Sequence, residues 1–115
     1  MAKLQDSTGF EWDEGNADKN WVRHRVSQSE CEQVFFNQPL IVAEDWEHSL
    51  EEDRFYALGR ADADRRLFVV FTLRGEWIRI ISARDMMPQE RREYEHARAK
   101  EFEADSEIRD GGRGA

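Results

Sequence analysis

The spacing of apolar residues changes period near residue 40. Before that point apolar positions recur at helical intervals, and after it they alternate or run together as in strands. Residues 1–9 (MAKLQDSTG) show no periodicity and predict a flexible lead-in. Phe10-Glu11-Trp12-Asp13 alternates, which predicts a short edge strand running into a helix. Asp13 is placed to cap that helix, and Glu14 suits its positive end. The helix is expected to reach about His24, with Ala17, Trp21 and His24 on its buried stripe. Ser27-x-x-Glu30 is a capping box that starts a second helix, with Val26 and Cys31 spaced as a hydrophobic staple. Cys31, Val34 and Phe35 form the buried stripe of that helix, and Pro39 blocks its continuation.

The second half reads as strands. Residues 40–43 predict a first strand, 44–53 an acidic loop, and 54–59 a second strand. After a turn at 61–64, residues 67–73 (LFVVFTL) are apolar on both faces, as expected of a central strand covered on both sides. Arg74-Gly75 predicts a tight hairpin into a last strand at 77–83. Pro88 fits the first position of a final helix, with Glu90 in its first turn and Tyr94, Ala97 and Phe102 on its apolar side. The Gly-rich, polar stretch 105–115 predicts a disordered tail. The expectation is one α+β domain over residues 10–104: a short strand, two helices, an antiparallel β-sheet meander, and a C-terminal helix.

A chain of 115 residues suits one domain. No stretch approaches the roughly 20 apolar residues of a membrane span. The first residues lack the apolar run of a signal peptide, so the expected compartment is cytoplasmic. One cysteine excludes an internal disulfide and a cysteine-based zinc site. The formal net charge is −8, which by itself disfavours nucleic acid. Its distribution changes that picture. Residues 54–92 hold nine Arg, no Lys and five acids, a local surplus of +4 within an acidic chain. Arginine suits forked contacts with phosphates and stacking on bases.

Arg54 opens the second strand, Arg79 lies in the last, and Arg84 follows just beyond its end. Antiparallel pairing can gather these guanidiniums on one concave face, where they would bind a phosphodiester and neutralise charge during its cleavage. The alternative is that each is a solvated or salt-bridged sheet residue. His24, between Arg23 and Arg25, is either a proton-transfer group tuned by its cationic neighbours or a positive charge at a helix C-terminus. His24, His48 and His96 are too far apart in sequence to read as a metal motif. Cys31 reads as a small hydrophobe. The acidic run 44–53 (EDWEHSLEED) reads equally as a partner surface and as a solvated loop.

Several segments together resemble the BrnT family of type II toxin–antitoxin ribonucleases. Phe10-Glu11-Trp12-Asp13 resembles its opening motif, and Lys19-Asn20, Arg23-His24 and Val26-Ser27 follow in register. Val34-Phe35 with Pro39-Leu40, Arg54-Phe55-Tyr56-Ala57-Leu58-Gly59, and residues 67–72 match its middle. Arg79-Ile80-Ile81-Ser82-Ala83-Arg84 and Glu90-Arg91-Arg92-Glu93-Tyr94-Glu95 match its end. The resemblance implies a RelE-like fold, a twisted antiparallel sheet packed against helices. It implies RNA cleavage that inhibits translation, with no metal and no organic cofactor. It also implies a BrnA-like ribbon-helix-helix antitoxin, which neutralises the toxin and reaches operator DNA, so that the toxin meets that DNA only through the antitoxin. By position it makes His24, Arg54, Arg79 and Arg84 the catalytic group, with Lys19, Arg23, Arg91 and Tyr94 as RNA contacts. The chain departs from the family at Asn16 (usually Lys), Arg25 (usually Gly) and Gln28 (usually aromatic). Three readings remain open: an active ribonuclease toxin, a catalytically weakened relative acting as antitoxin-binding co-repressor, and a reused fold with another ligand.

Overall fold

The computed structural model describes residues 9–13, 15–45 and 53–114. In chain order these form β1 (Gly9–Glu11), α1 (Asn16–His24), α2 (Gln28–Val34), β2 (Ile41–Glu44), β3 (Arg54–Arg60), β4 (Arg66–Arg74), β5 (Trp77–Asp85) and α3 (Pro88–Gly114). The strands make one five-stranded sheet in the order β1-β5-β4-β3-β2. β2 to β5 are the expected antiparallel meander, but β1 pairs parallel to β5, so the sheet is mixed. β4, apolar on both faces, takes the central position.

Strand alternation divides the core into two layers. On one face Phe55, Ala57, Leu67, Val69, Phe71, Ile78 and Ile80 pack with Val26, Cys31 and Val34 at and within α2. On the other face Leu58, Met86 and Tyr94 form a smaller cluster with Ile41 and Phe68. α2 sits so close to β3 that a Cβ on Gly59 would lie 2.5 Å from Val34 Cγ1. The Ser27 capping box is present: the Glu30 amide donates to Ser27 Oγ at 3.1 Å, and the Ser27 amide donates to Glu30 Oε1 at 3.0 Å.

α1 departs from its sequence reading in two ways. Gly15, not Asp13, is its N-cap, and it supplies no side-chain hydrogen bond. Asp13 is drawn away because its carboxylate is ion-paired to Arg79 of β5. Among the described side chains of α1 the buried one is Asn20, while Trp21 is 48% exposed and His24 is also exposed. The reason is where α1 lies. It packs along β5 beyond the short β1, where the Ala83 amide needs an acceptor, and Asn20 Oδ1 provides it at 3.2 Å. At the helix end Arg25 adopts the left-handed conformation (φ 54°, ψ 38°) that a glycine adopts freely.

α3 is helical to Gly114, where composition predicts a disordered tail from residue 105. The Glu-, Ala-, Arg- and Lys-rich turns before that stretch are good helix formers, and an existing helix is extended more easily than a new one is nucleated. Among the described residues no helix is long and apolar enough to cross a membrane. Residues 1–8 of the predicted lead-in, Glu14, residues 46–52 of the acidic loop, and the side chains of Ala17 and Phe102 lie outside the described residues.

Candidate nucleic-acid interface

The strand reading places Arg84 beyond the last strand, but β5 continues to Asp85 and contains it. Val70 faces Ser82 while Phe71 faces Ile80, so Ile81 is an extra residue, a β-bulge. That bulge matters for the site. The odd spacing of Arg79 and Arg84 would put them on opposite faces of a regular strand. With Ile81 inserted, Arg79 lies opposite Thr72 and Arg84 opposite Phe68, on one face. Arg54 also lies opposite Thr72, so Arg54, Thr72 and Arg79 form a row across β3, β4 and β5. Thr72 is fully buried, and its Oγ1 has no hydrogen-bond partner among the described residues.

Where α1 leans on β5, a cleft of about 230 Å³ opens between the two elements. Lys19, Asn20, Arg23 and His24 line it from α1, and Ser82 and Arg84 from β5. Four of the residues expected from sequence therefore meet there: Lys19, Arg23, His24 and Arg84. Asn20 forms its inner wall, with Nδ2 buried and lacking a partner among the described residues. Lys19, Arg23 and His24 are exposed.

Arg65, which the sequence reading did not single out, fixes the rim of this cleft. Its Nη2 donates to the carbonyl of His24 at 2.9 Å, and its Nη1 to that of Arg25 at 2.7 Å. Its Nε and Nη2 hold the two oxygens of Asp85 at 2.7 and 3.0 Å, and Nη1 reaches Glu30 at 3.2 Å. One guanidinium thus ties the carbonyl end of α1 to α2 and β5. No local pattern announces this role, because the partners lie 20 to 41 residues away. Arg65's hydrogen bond, then its charge and those of Arg91 and His24, hold the Asp85 carboxyl below the usual range despite partial burial. Burial alone would raise the Glu30 carboxyl, but hydrogen bonds from the Ser27 amide, Arg65 and the Ser27 hydroxyl outweigh it and lower it.

The site's other guanidiniums are also bound within the chain. Arg84 makes a forked pair with Glu90 at 2.8 and 2.9 Å and lies 4.1 Å over the Phe68 ring. Arg79 is paired with Asp13. The solvated-or-salt-bridged reading of the sheet arginines therefore holds for these two, although they do share a face. Arg91 is exposed on α3, near enough to influence Asp85 but not lining the cleft. Tyr94 does not reach the site: it is fully buried, its hydroxyl donates to the Pro39 carbonyl at 2.8 Å, and Arg66 lies over its ring. Its place on the inner side of α3 makes it a core residue. Among the described residues no three His, Cys, Asp or Glu side chains cluster as a metal site. Burial pushes the Cys31 thiol up to about 12, in keeping with an inert core residue.

A search of curated protein sequences finds no match. Among solved structures, the ribonuclease toxin BrnT of Brucella abortus is similar, with 20% sequence identity and a TM-score of 0.54. The match covers 70% of this chain and 99% of the Brucella protein, and it shows a shared fold. The family described as the ribonuclease toxin, BrnT, of type II toxin–antitoxin systems matches residues 12–90, a span running from Trp12 through the α1–β5 cleft to Glu90. The chain belongs to the BrnT family of type II toxin–antitoxin ribonuclease toxins.

Proposed function

We propose that this protein is an active ribonuclease that cleaves RNA in the α1–β5 cleft and thereby inhibits translation in the cytoplasm. The observation that carries this is the meeting of Lys19, Arg23, His24 and Arg84 in one cleft, built from two elements far apart in sequence. Among the described residues Lys19 and Arg23 have no carboxylate partner, so their charges face solvent and a phosphodiester. In the reaction the ribose 2′-oxygen attacks the adjacent phosphorus while His24 takes the 2′ proton. The bond from phosphorus to the 5′-oxygen breaks, and that oxygen takes up a proton from solvent. Lys19, Arg23 and Arg84 offset the charge on the non-bridging oxygens, and Arg54 and Arg79 extend the cationic row for the flanking backbone. The proposed architecture is the RelE-like one, and the partner is a BrnA-like ribbon-helix-helix antitoxin through which operator DNA is reached.

Inducing the chain alone, beside His24→Gln and Arg79→Ala/Arg84→Ala controls of equal expression, tests this. Growth arrest and RNA cleavage are expected from the wild type. General acid–base groups are worth roughly 100-fold or more, so cleavage by His24→Gln falls at least that far. Equal cleavage by the folded variants would remove these roles.

A second reading, the catalytically weakened co-repressor, draws on one specific observation. Asp13 and Glu90 already neutralise Arg79 and Arg84, the groups the first reading asks to hold phosphate. A folded wild type that neither arrests growth nor cleaves RNA, yet binds the antitoxin–operator complex, would favour it.

A further inference from the structure

A second cavity, about 360 Å³, lies beside the Arg84–Glu90 pair on the same face of the sheet. Tyr56, Leu58 and Phe68 form its floor, and Gln89, Glu90 and Glu93 of α3 its wall. We propose that this cavity is a nucleobase subsite that takes a guanine of the RNA, an inference that rests on RNA binding at the neighbouring cleft. Three features carry it.

The floor is a stack of flat groups. The Arg84 guanidinium lies 4.1 Å over Phe68, whose ring stacks on Tyr56 at 5.4 Å with an interplanar angle of 24°. Single-stranded RNA is commonly held by such platforms, since every base has a π-face that extends the stack. Arg84 also connects the two sites. It lines the first cleft, while the ring beneath it and the carboxylate that grips it line the second. A phosphate held at Arg84 therefore leaves its neighbouring base within reach of the platform. The wall supplies the choice of base. Glu90 and Glu93 repel a phosphate and accept hydrogen bonds but cannot donate them when ionised. Glu90 is already taken up by Arg84 and by the Met87 amide at 2.8 Å. Glu93 is exposed and has no hydrogen bond among the described residues. Guanine is the base whose Watson–Crick edge offers two adjacent N–H donors, N1–H and the 2-amino group, to one carboxylate.

The test is binding of the full chain to fluorescein-labelled 2′-O-methyl oligouridines carrying one central guanine, inosine, abasic site or uridine. The methyl group blocks cleavage, so affinity alone is read. The guanine probe is expected to bind about tenfold tighter than the abasic one, the size of one stacking contact. Tyr56→Ala removes that advantage and costs nothing further on the abasic probe. Glu93→Gln, on the exposed side of α3 where folding is not at stake, weakens the guanine probe most and weakens inosine, which keeps N1–H but lacks the 2-amino group, by less.

Wild-type binding that ignores the central base, or variants that keep the guanine preference, would overturn the subsite while RNA binding at the cleft stands. Loss of antitoxin neutralisation with the guanine preference intact would also overturn it, making the cavity a protein-docking surface. Failure of the wild type to bind any probe would instead remove the reading beneath it.

Discussion

Arg65 is the residue whose loss should cost this fold most for a single exposed-edge change. Methionine at that position keeps most of the aliphatic packing but strands the carbonyls of His24 and Arg25 and the carboxylates of Asp85 and Glu30. Two hydrogen bonds from a charged donor to helix-terminal carbonyls contribute about 2 kcal/mol here, below the usual 1.5–3 each because water reaches the site. The side chain is 26% exposed, so the two ion pairs add only about 1 kcal/mol together. The expected loss for Arg65→Met is about 3 kcal/mol, or roughly 12 °C in Tm for a chain of this length. Thermal unfolding followed by circular dichroism at pH 7 measures it. Arg65→Lys should recover less than half, because an ammonium cannot reproduce the fork. The pH dependence supplies a second check. Asp85 and Glu30 have lowered carboxyl pKa values in the fold. Their contribution is therefore full above about pH 5 and is lost as pH falls through the folded values. The gap between wild type and Arg65→Met should shrink on acidification from pH 5 to pH 3. A shift under about 4 °C at pH 7, or a gap that widens in acid, would refute the assignment of Arg65 as the clamp on α1.

Two further changes test the packing. Gly59→Ala places a methyl group 2.5 Å from the buried, β-branched Val34, and overpacking of this kind costs about 1–3 kcal/mol. The midpoint of urea unfolding should fall accordingly, and an unchanged midpoint would mean that α2 yields without cost. Cys31 has a thiol pKa raised by burial from its ordinary 9.0 to about 12. Stability tied to it is full below pH 9 and falls above it, by up to about 1.4 kcal/mol per pH unit, as the unfolded thiol ionises first. Cys31→Ala should be less stable at pH 7 yet lose less stability than wild type between pH 9 and 11, as compared by urea unfolding.

The strands, the α2 capping box and the start of α3 were legible because their signals are local: alternation, Ser27 with Glu30 three residues on, and Pro88. The antiparallel meander followed from a two-residue hairpin at Gly75 and short connections. What escaped depends on contacts across the fold. Asp13 is a good N-cap in isolation, but the ion pair with Arg79 outcompetes that role. Trp21 belongs by hydrophobicity to the buried stripe of α1, yet the helix turns Asn20 inward because an edge amide of β5 must be satisfied. The pairing of β1 with β5 joins the two ends of the described sheet sequence, and no periodicity reports it. In the site, His24 and Arg84 stand out from the residues themselves, and Lys19 and Arg23 from the family resemblance. Their convergence depends on α1 packing along β5, and the alignment of Arg84 with Arg79 on the Ile81 bulge, neither of which a strand pattern reveals. Tyr94 was misplaced because an aromatic on an amphipathic helix looks the same whether it faces substrate or core.

The carboxylates that hold the arginines bear on how an acidic chain handles RNA. Glu90 grips Arg84 through both oxygens, and that hydrogen bond is the foremost cause of its lowered carboxyl pKa. A phosphate at Arg84 must compete with this partner, so the pair opposes binding while supporting the fold. Glu90→Gln removes the charge and keeps the shape. It should tighten RNA binding by about three- to tenfold, the scale of one partly buried ion pair, and steepen the salt dependence by about one phosphate contact. The same change weakens the cap on the Met87 amide and should cost about 1 kcal/mol of stability. Opposite signs in the two measurements, filter binding across a salt series and thermal unfolding, are what competition requires. A variant that loses stability and RNA affinity together would show instead that Glu90 positions Arg84 for the phosphate, so that the acidic partner belongs to the binding site itself.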